Sequence, residues 1–285
     1  MANHFKTLLL MAALTGLALV VGYLLGGQGG MVIAFVVAAV MNFVSYWFSD
    51  KIVLALYRAR ELAPHEAPEI HALVDELARR AEIPKPRVYI VPSSTPNAFA
   101  TGRNPSHAAV AVTEGILEIL TRDELMAVLA HELGHVRNRD ILVGTIAATV
   151  AGAISMLANM FMWTSMMGGR DNERDDSPFG AIGALMAMFF APIAAAMIQM
   201  AISRSREYSA DETAAKLMGS GRPLANALRK LHNGNLYLAM NGQEARVEPA
   251  TAHMFIVNPL SGRGFASLFS THPPVEERIA RLEAM

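Results

Sequence analysis

Residues 131–135 read His-Glu-Leu-Gly-His. Two histidines four positions apart on a helix stand one turn apart, so both imidazoles leave the same face and can share one metal ion. A glutamate directly after the first histidine is placed to polarise water bound to that ion. The pattern assigns His131 and His135 as zinc ligands and Glu132 as the general base of a metal-assisted hydrolysis. The chain contains no cysteine, which excludes thiol catalysis, thiolate ligands and disulfides.

The motif needs a helix, and its flanks predict one. Thr121 suits an N-cap, and Glu124 three residues later completes a capping box. The helix then runs from residue 122 to about 136, with Leu125, Val128, Leu129 and Leu133 burying one side. Upstream, residues 68–82 carry helical apolar spacing at Ile70, Leu73, Val74, Leu77 and Ala81. Residues 87–92, 97–101 and 107–112 read as strands, the last two around a turn at 102–105. Downstream, 206–218 and 223–240 are helical, and 275–283 is a short amphipathic closing helix. Residues 244–264 carry no clear pattern.

Composition places this machinery beside a membrane. The chain has 285 residues, 53% hydrophobic and only 17% charged. Four stretches hold no Asp, Glu, Lys or Arg: 7–25, 31–48, 141–163 and 179–202. Each has about the length needed to cross a bilayer. The reading is an α+β membrane protein. Four transmembrane helices (7–25, 31–48, 141–163 and 179–202) join a mainly helical domain with a small β-sheet, assembled from residues 49–140 and 203–285. The first two spans form a hairpin with a tiny Gly-rich turn at 26–30. Lys6, Lys51, Arg58, Arg60, Arg137, Arg139, Arg204 and Arg206 lie on one side of the spans. Only Arg170 and Arg174, diluted by four carboxylates, lie on the other. That asymmetry puts both termini and the active domain in the cytoplasm. Net charge is −1 and no basic run suggests a nucleic-acid groove, so no nucleic-acid partner is expected.

Topology also suggests the third ligand. His135 is about 9 Å before the third span and Glu207 about 7.5 Å beyond the fourth, at helical rise. Two antiparallel spans bring both to similar depth, and zinc proteases often use two histidines and a glutamate. The metzincin alternative is absent, because its third histidine would fall at Ile141. Asp211, one turn beyond Glu207, suits an acceptor for a ligand histidine N–H. The plainer alternative makes Glu207 a surface carboxylate paired with Arg204 or Arg206. Those arginines otherwise anchor span four, or neutralise Asp211 or Glu207.

These residues carry a resemblance. His131 to His135, followed by Ser203-Arg204-Ser205-Arg206-Glu207-Tyr208-Ser209-Ala210-Asp211, is similar to the HtpX family of bacterial membrane zinc metalloproteases, zincin-like relatives of the CAAX prenyl proteases. The segments Pro96 to Gly102, Val112-Thr113-Glu114-Gly115 and Ser270-Thr271-His272-Pro273-Pro274 agree, as does the four-span layout. The resemblance implies an inner-membrane endopeptidase of quality control, often stress-induced. It would carry one Zn2+ per chain and act on misfolded or damaged membrane proteins.

Two accessory features stay open. Residues 97–101, with Asn97, Ala98 and Phe99 as substrate-strand candidates, are either an edge strand that receives substrate by strand addition or an ordinary buried strand. His272 donates to the transition-state oxyanion, occupies the open zinc position at rest, or is structural. A metal-binding membrane scaffold or transporter is a competing class. It needs polar groups within the spans, where only Asn159, Gln199 and a few Ser and Thr occur.

Overall fold

The structure, a computed structural model, describes residues 2–142, 144–146, 204–240, 254–257 and 273–285. The third and fourth apolar stretches and His272 lie outside the described residues, apart from 141, 142 and 144–146, which are helical.

The first helix, α1 (Ala2–Leu56), is broken at Gly26 and Gly27, the latter at φ 57°. That left-handed conformation costs glycine little. The arms fold back on one another. Asn42 Nδ2 donates to Thr15 Oγ1 at 2.8 Å, and at Gly22 and Gly30 the two backbones meet with no room for a Cβ. The expected Gly-rich hairpin is therefore present. Its second arm, Gly26–Phe48, has 23 residues and is long and apolar enough to cross a membrane. Val32, Ile33, Phe35, Val36 and Phe43 along it are exposed, as a lipid-facing helix requires.

After β1 (Arg60–Glu61) come α2 (Pro68–Ala81), β2 (Arg87–Val91), β3 (Ala98–Gly102), β4 (Ala108–Thr113), α3 (Glu114–Ile119) and α4 (Arg122–Arg137). Then follow α5 (Arg204–Met218), α6 (Arg222–Met240) and α7 (Val275–Glu283). The helices fall where their periodicity predicts them. The strands shift by a residue, because His107 ends a 3-10 turn, Pro105–His107, before β4 begins. Two elements escaped sequence reasoning: α3, capped by Thr113 Oγ1 accepting from Ile116 N–H, and the two-residue β1.

The sheet order is β1-β2-β4-β3. β2 and β4 are parallel, while β1 and β3 pair antiparallel at the edges. Every residue of the inner strand β4 is buried, the mark of a strand covered on both faces. On one face, Val88, Val110, Val112 and Ala98 join Leu73, Leu77, Leu129, Leu133 and Leu228 in the main core. On the other, Tyr89, Val91, Phe99, Ala109 and Ala111 pack on Val53 and Leu54 at the end of α1. The end of α1, just past its apolar arm, is thus one layer of the domain, seated directly on its sheet.

Candidate metal centre

Helix α4 is the axis of the domain. Its capping box forms as expected, with Thr121 N–H donating to Glu124 Oε2 at 2.8 Å. Leu125, Val128, Leu129 and Leu133 are all buried. Gly134 lets α5 approach closely, since a Cβ there would lie 3.3 Å from Ala210 Cα. This contact brings the two halves of the chain together one residue from His135 and three from Glu207.

His131 Nε2 lies 3.2 Å from His135 Nε2. Glu207 Oε1 is 3.4 Å from His135 Nε2 and Glu207 Oε2 is 3.8 Å from His131 Nε2. All three side chains offer ligand atoms within 4.8 Å of one another. A tetrahedral zinc ion with bonds of about 2.0–2.1 Å has ligand–ligand edges of about 3.3 Å, so these spacings fit one zinc ion.

The tautomers fit as well. His131 Nδ1 sits 2.9 Å from Asp211 Oδ1, and His135 Nδ1 sits 3.4 Å from Asp140 Oδ2. A carboxylate only accepts, so both Nδ1 atoms donate and both Nε2 atoms turn toward the shared point. Asp211 thus stands beside the His131 imidazole. Asp140, five residues past His135, does the same for the second histidine and escaped sequence reasoning.

Asp211 has a cation of its own, and it is neither Arg204 nor Arg206. Arg278 of α7 is fully buried and donates from Nε to Asp211 Oδ2 at 2.9 Å and from Nη2 to Oδ1 at 2.7 Å. Its Nη1 donates to the Ile256 carbonyl at 2.9 Å and lies 3.6 Å from Glu207 Oε2. One signal could have revealed it. Arg278 stands three residues after Val275 and four before Leu282, inside the apolar stripe of its helix. Arg204 is exposed. Burial lowers the pKa of Arg206, opposed by the charges of Asp140 and Glu207.

Glu132 Oε2 accepts the Ala100 N–H of β3 at 2.9 Å. Burial raises its carboxyl above the usual range, opposed by the two histidines and reinforced by Glu207. For His135, burial alone would lower the pKa, but hydrogen bonds to Asp140 and Glu207 and the charges of Glu207 and Glu132 push it up to about 10. For Asp211, burial would raise the pKa, but the Arg278 charge and the bond from His131 bring it down to about 2. Among the described residues around the metal point, the carboxylates of Glu132, Glu207, Asp211 and Asp140 outnumber the guanidiniums of Arg206 and Arg278 by two. The proton that His135 holds offsets one of these charges, and a dication that displaces it balances both.

The substrate-strand candidates separate. β3 is an edge strand of the sheet, but Asn97, Ala98 and Phe99 are buried. Asn97 Oδ1 accepts from Ile256 N–H at 3.1 Å, fixing Met254, Phe255 and Ile256 as a wall of the metal cavity. Phe99 and the half-buried Ala100 of β3 both line that cavity.

Residues 64–285 match the family described as Peptidase family M48. A "Protease HtpX homolog" of Sulfurihydrogenibium sp. (strain YO3AOP1) is 58% identical, covering 100% of this chain and 97% of its own. One of Pyrococcus furiosus is also 58% identical, covering 97% and 94%. The crystal structure of S. mikatae Ste24p resembles the fold with a TM-score of 0.51 at 20% identity, over 99% of this chain and 66% of that one.

Proposed function

The chain belongs to peptidase family M48 and is a metalloprotease; from this premise we propose a zinc-dependent endopeptidase that cuts misfolded or damaged membrane proteins at the cytoplasmic face of a bacterial inner membrane. His131, His135 and Glu207 would hold the metal. The observation that carries this assignment is the convergence of their three donor atoms within 4.8 Å. When bound, zinc supplies the Lewis acidity that makes water a nucleophile near neutral pH and polarises the scissile carbonyl.

The chain supplies the rest. Glu132 has one carboxylate oxygen on the Ala100 N–H, which orients its other oxygen for a water. Its raised pKa makes it a stronger base than a surface glutamate. It takes the proton from the attacking water and then delivers it to the leaving amine. Asp211 and Asp140 hold the imidazole tautomers, and Arg278 keeps Asp211 ionised and aligned. His272 remains a proposed donor to the oxyanion or a plug at rest.

The membrane part of the proposal rests on the apolar arm Gly26–Phe48, whose continuation at Val53 and Leu54 packs on the sheet, the four uncharged stretches and the excess of Lys and Arg on one side of them. The test is metal analysis together with casein cleavage by detergent-purified protein, wild type against Glu132→Gln. Cleavage by wild type alone, with zinc in both, is the expected result. Equal cleavage by both overturns the assignment.

A further inference from the structure

Trp47 and Phe48 close the apolar arm of α1 and are 45% and 40% exposed. Aromatic rings at such a boundary sit at the headgroup level of a bilayer. Beside them opens a groove of about 640 Å³ that shares no lining residue with the metal cavity. That volume falls within the roughly 300–1,000 Å³ of small-molecule sites. Lys51, Lys85, Arg87, Arg103 and His107 line it, with Asp50 as the one carboxylate among the described residues.

Most of these charges are committed. Arg87 donates to Asp50 at 2.9 Å and to Tyr89 Oη at 2.9 Å, and Lys85 pairs with Asp75 at 2.7 Å. Lys51 and Arg103 have no carboxylate within 4.0 Å among the described residues. Each rests on an aromatic face instead: the Arg103 guanidinium 4.6 Å from the Trp47 ring centre, and Lys51 Nζ 5.5 Å from that of Phe48. Such stacking orients a cation without neutralising it. Phe43, 59% exposed, lines the same groove one turn deeper along the apolar arm. Cations at the headgroup level continue into an apolar wall below, which matches an amphipathic anion.

We propose that this groove binds the phosphate headgroup of an anionic phospholipid, with Lys51 and Arg103 on the phosphate and Phe43 and Trp47 against its acyl chains. The sheet seated on α1 then takes its place over the bilayer from a bound lipid as well as from the hairpin. Near an anionic surface each basic side chain contributes roughly fivefold in binding, so the pair is worth about 30-fold.

The experiment uses full-length, zinc-loaded protein carrying Trp163→Phe, which leaves Trp47 as the sole tryptophan. It is reconstituted in nanodiscs of phosphatidylcholine with increasing phosphatidylglycerol, and Trp47 emission is followed. Saturation at a low phosphatidylglycerol fraction, raised about 30-fold by Lys51→Gln with Arg103→Gln and kept by Lys51→Arg with Arg103→Lys, is the expected result. The same saturation in the glutamine double variant overturns the proposal. Native mass spectrometry of wild type gives an answer that needs no variant: phosphatidylglycerol retained no better than phosphatidylcholine also overturns it. A full response of detergent-solubilised protein to inorganic phosphate alone replaces the lipid with a free anion, and overturns the lipid assignment.

Discussion

Arg278 and Asp211 face each other through two parallel hydrogen bonds of 2.9 and 2.7 Å, both side chains out of solvent. Asp211 in turn sits on His131. The last helix of the chain therefore reaches the metal point through two carboxylates, Asp211 and, at 3.6 Å, Glu207.

Removing that guanidinium leaves a buried carboxylate without its cation, a change that costs about 3–5 kcal/mol. Arg278→Leu is expected to lower the Tm and to weaken zinc retention about 10–100-fold, the usual loss when support for a ligand imidazole goes. Arg278→Lys restores the charge but not the paired bonds, and should recover only part of it. Zinc content after dialysis against a mild chelator is the measurement; an unchanged content in Arg278→Leu contradicts the role given to this residue.

Glu132 and Glu207 line the same cavity but should fail differently. Glu132→Gln is expected to keep its zinc and lose at least about 100-fold in kcat, as loss of a general base does. Glu207→Ala is expected to lose zinc. Stoichiometry and casein cleavage measured on the two variants side by side separate these roles. If Glu207→Ala holds zinc as firmly as wild type, the ligand set is wrong.

A proton on His135 competes with any cation for its Nε2. The raised pKa of about 10 keeps that proton in place through neutral pH. Zinc affinity should therefore climb about tenfold per pH unit from roughly pH 7 to 9 instead of levelling off above the ordinary imidazole value near 6.5. Asp140→Asn removes one of the bonds that raise the pKa, and should bring the plateau to lower pH. Chelator competition at pH 7, 8 and 9 reads the slope, and a flat profile in wild type counts against it.

Gly134 sets the distance between the two halves of the site. A Cβ there lies 3.3 Å from Ala210 Cα and from Thr213 Cβ. Gly134→Val adds a branched side chain where backbone is the neighbour, an overpacking cost of about 1–3 kcal/mol. It should push α5 outward and carry Glu207 off the metal. Zinc loss accompanied by retained helical circular dichroism is the expected pattern, and a variant as active as wild type would show that the contact does not matter.

Local order was legible, and distant pairings were legible only where something tied them to a local pattern. The spacing of His131 and His135 and the Thr121–Glu124 cap are properties of one helix. The Gly-rich turn announced the hairpin by composition. Glu207, in the other half of the chain, was reached through the spans and the resemblance to HtpX proteins. Arg278 stood unremarked on the amphipathic closing helix, because nothing near it names Asp211 as its partner 67 residues away. Asn97 read as a strand residue, while its side chain holds Ile256, 159 residues on, in a segment whose composition carries no pattern. β1, two residues long, is a strand only because β2 pairs with it.

The Ile256 peptide is gripped from both sides, its N–H by Asn97 and its carbonyl by Arg278. Moving that wall would break both bonds. A substrate helix, about 10 Å across with its side chains, is then expected to unwind before one of its peptide bonds reaches Glu132. Under the proposed function, two targets with the same residues around the cut would differ in turnover by how often each opens locally, a gauge of unfolding free energy more than a reading of sequence.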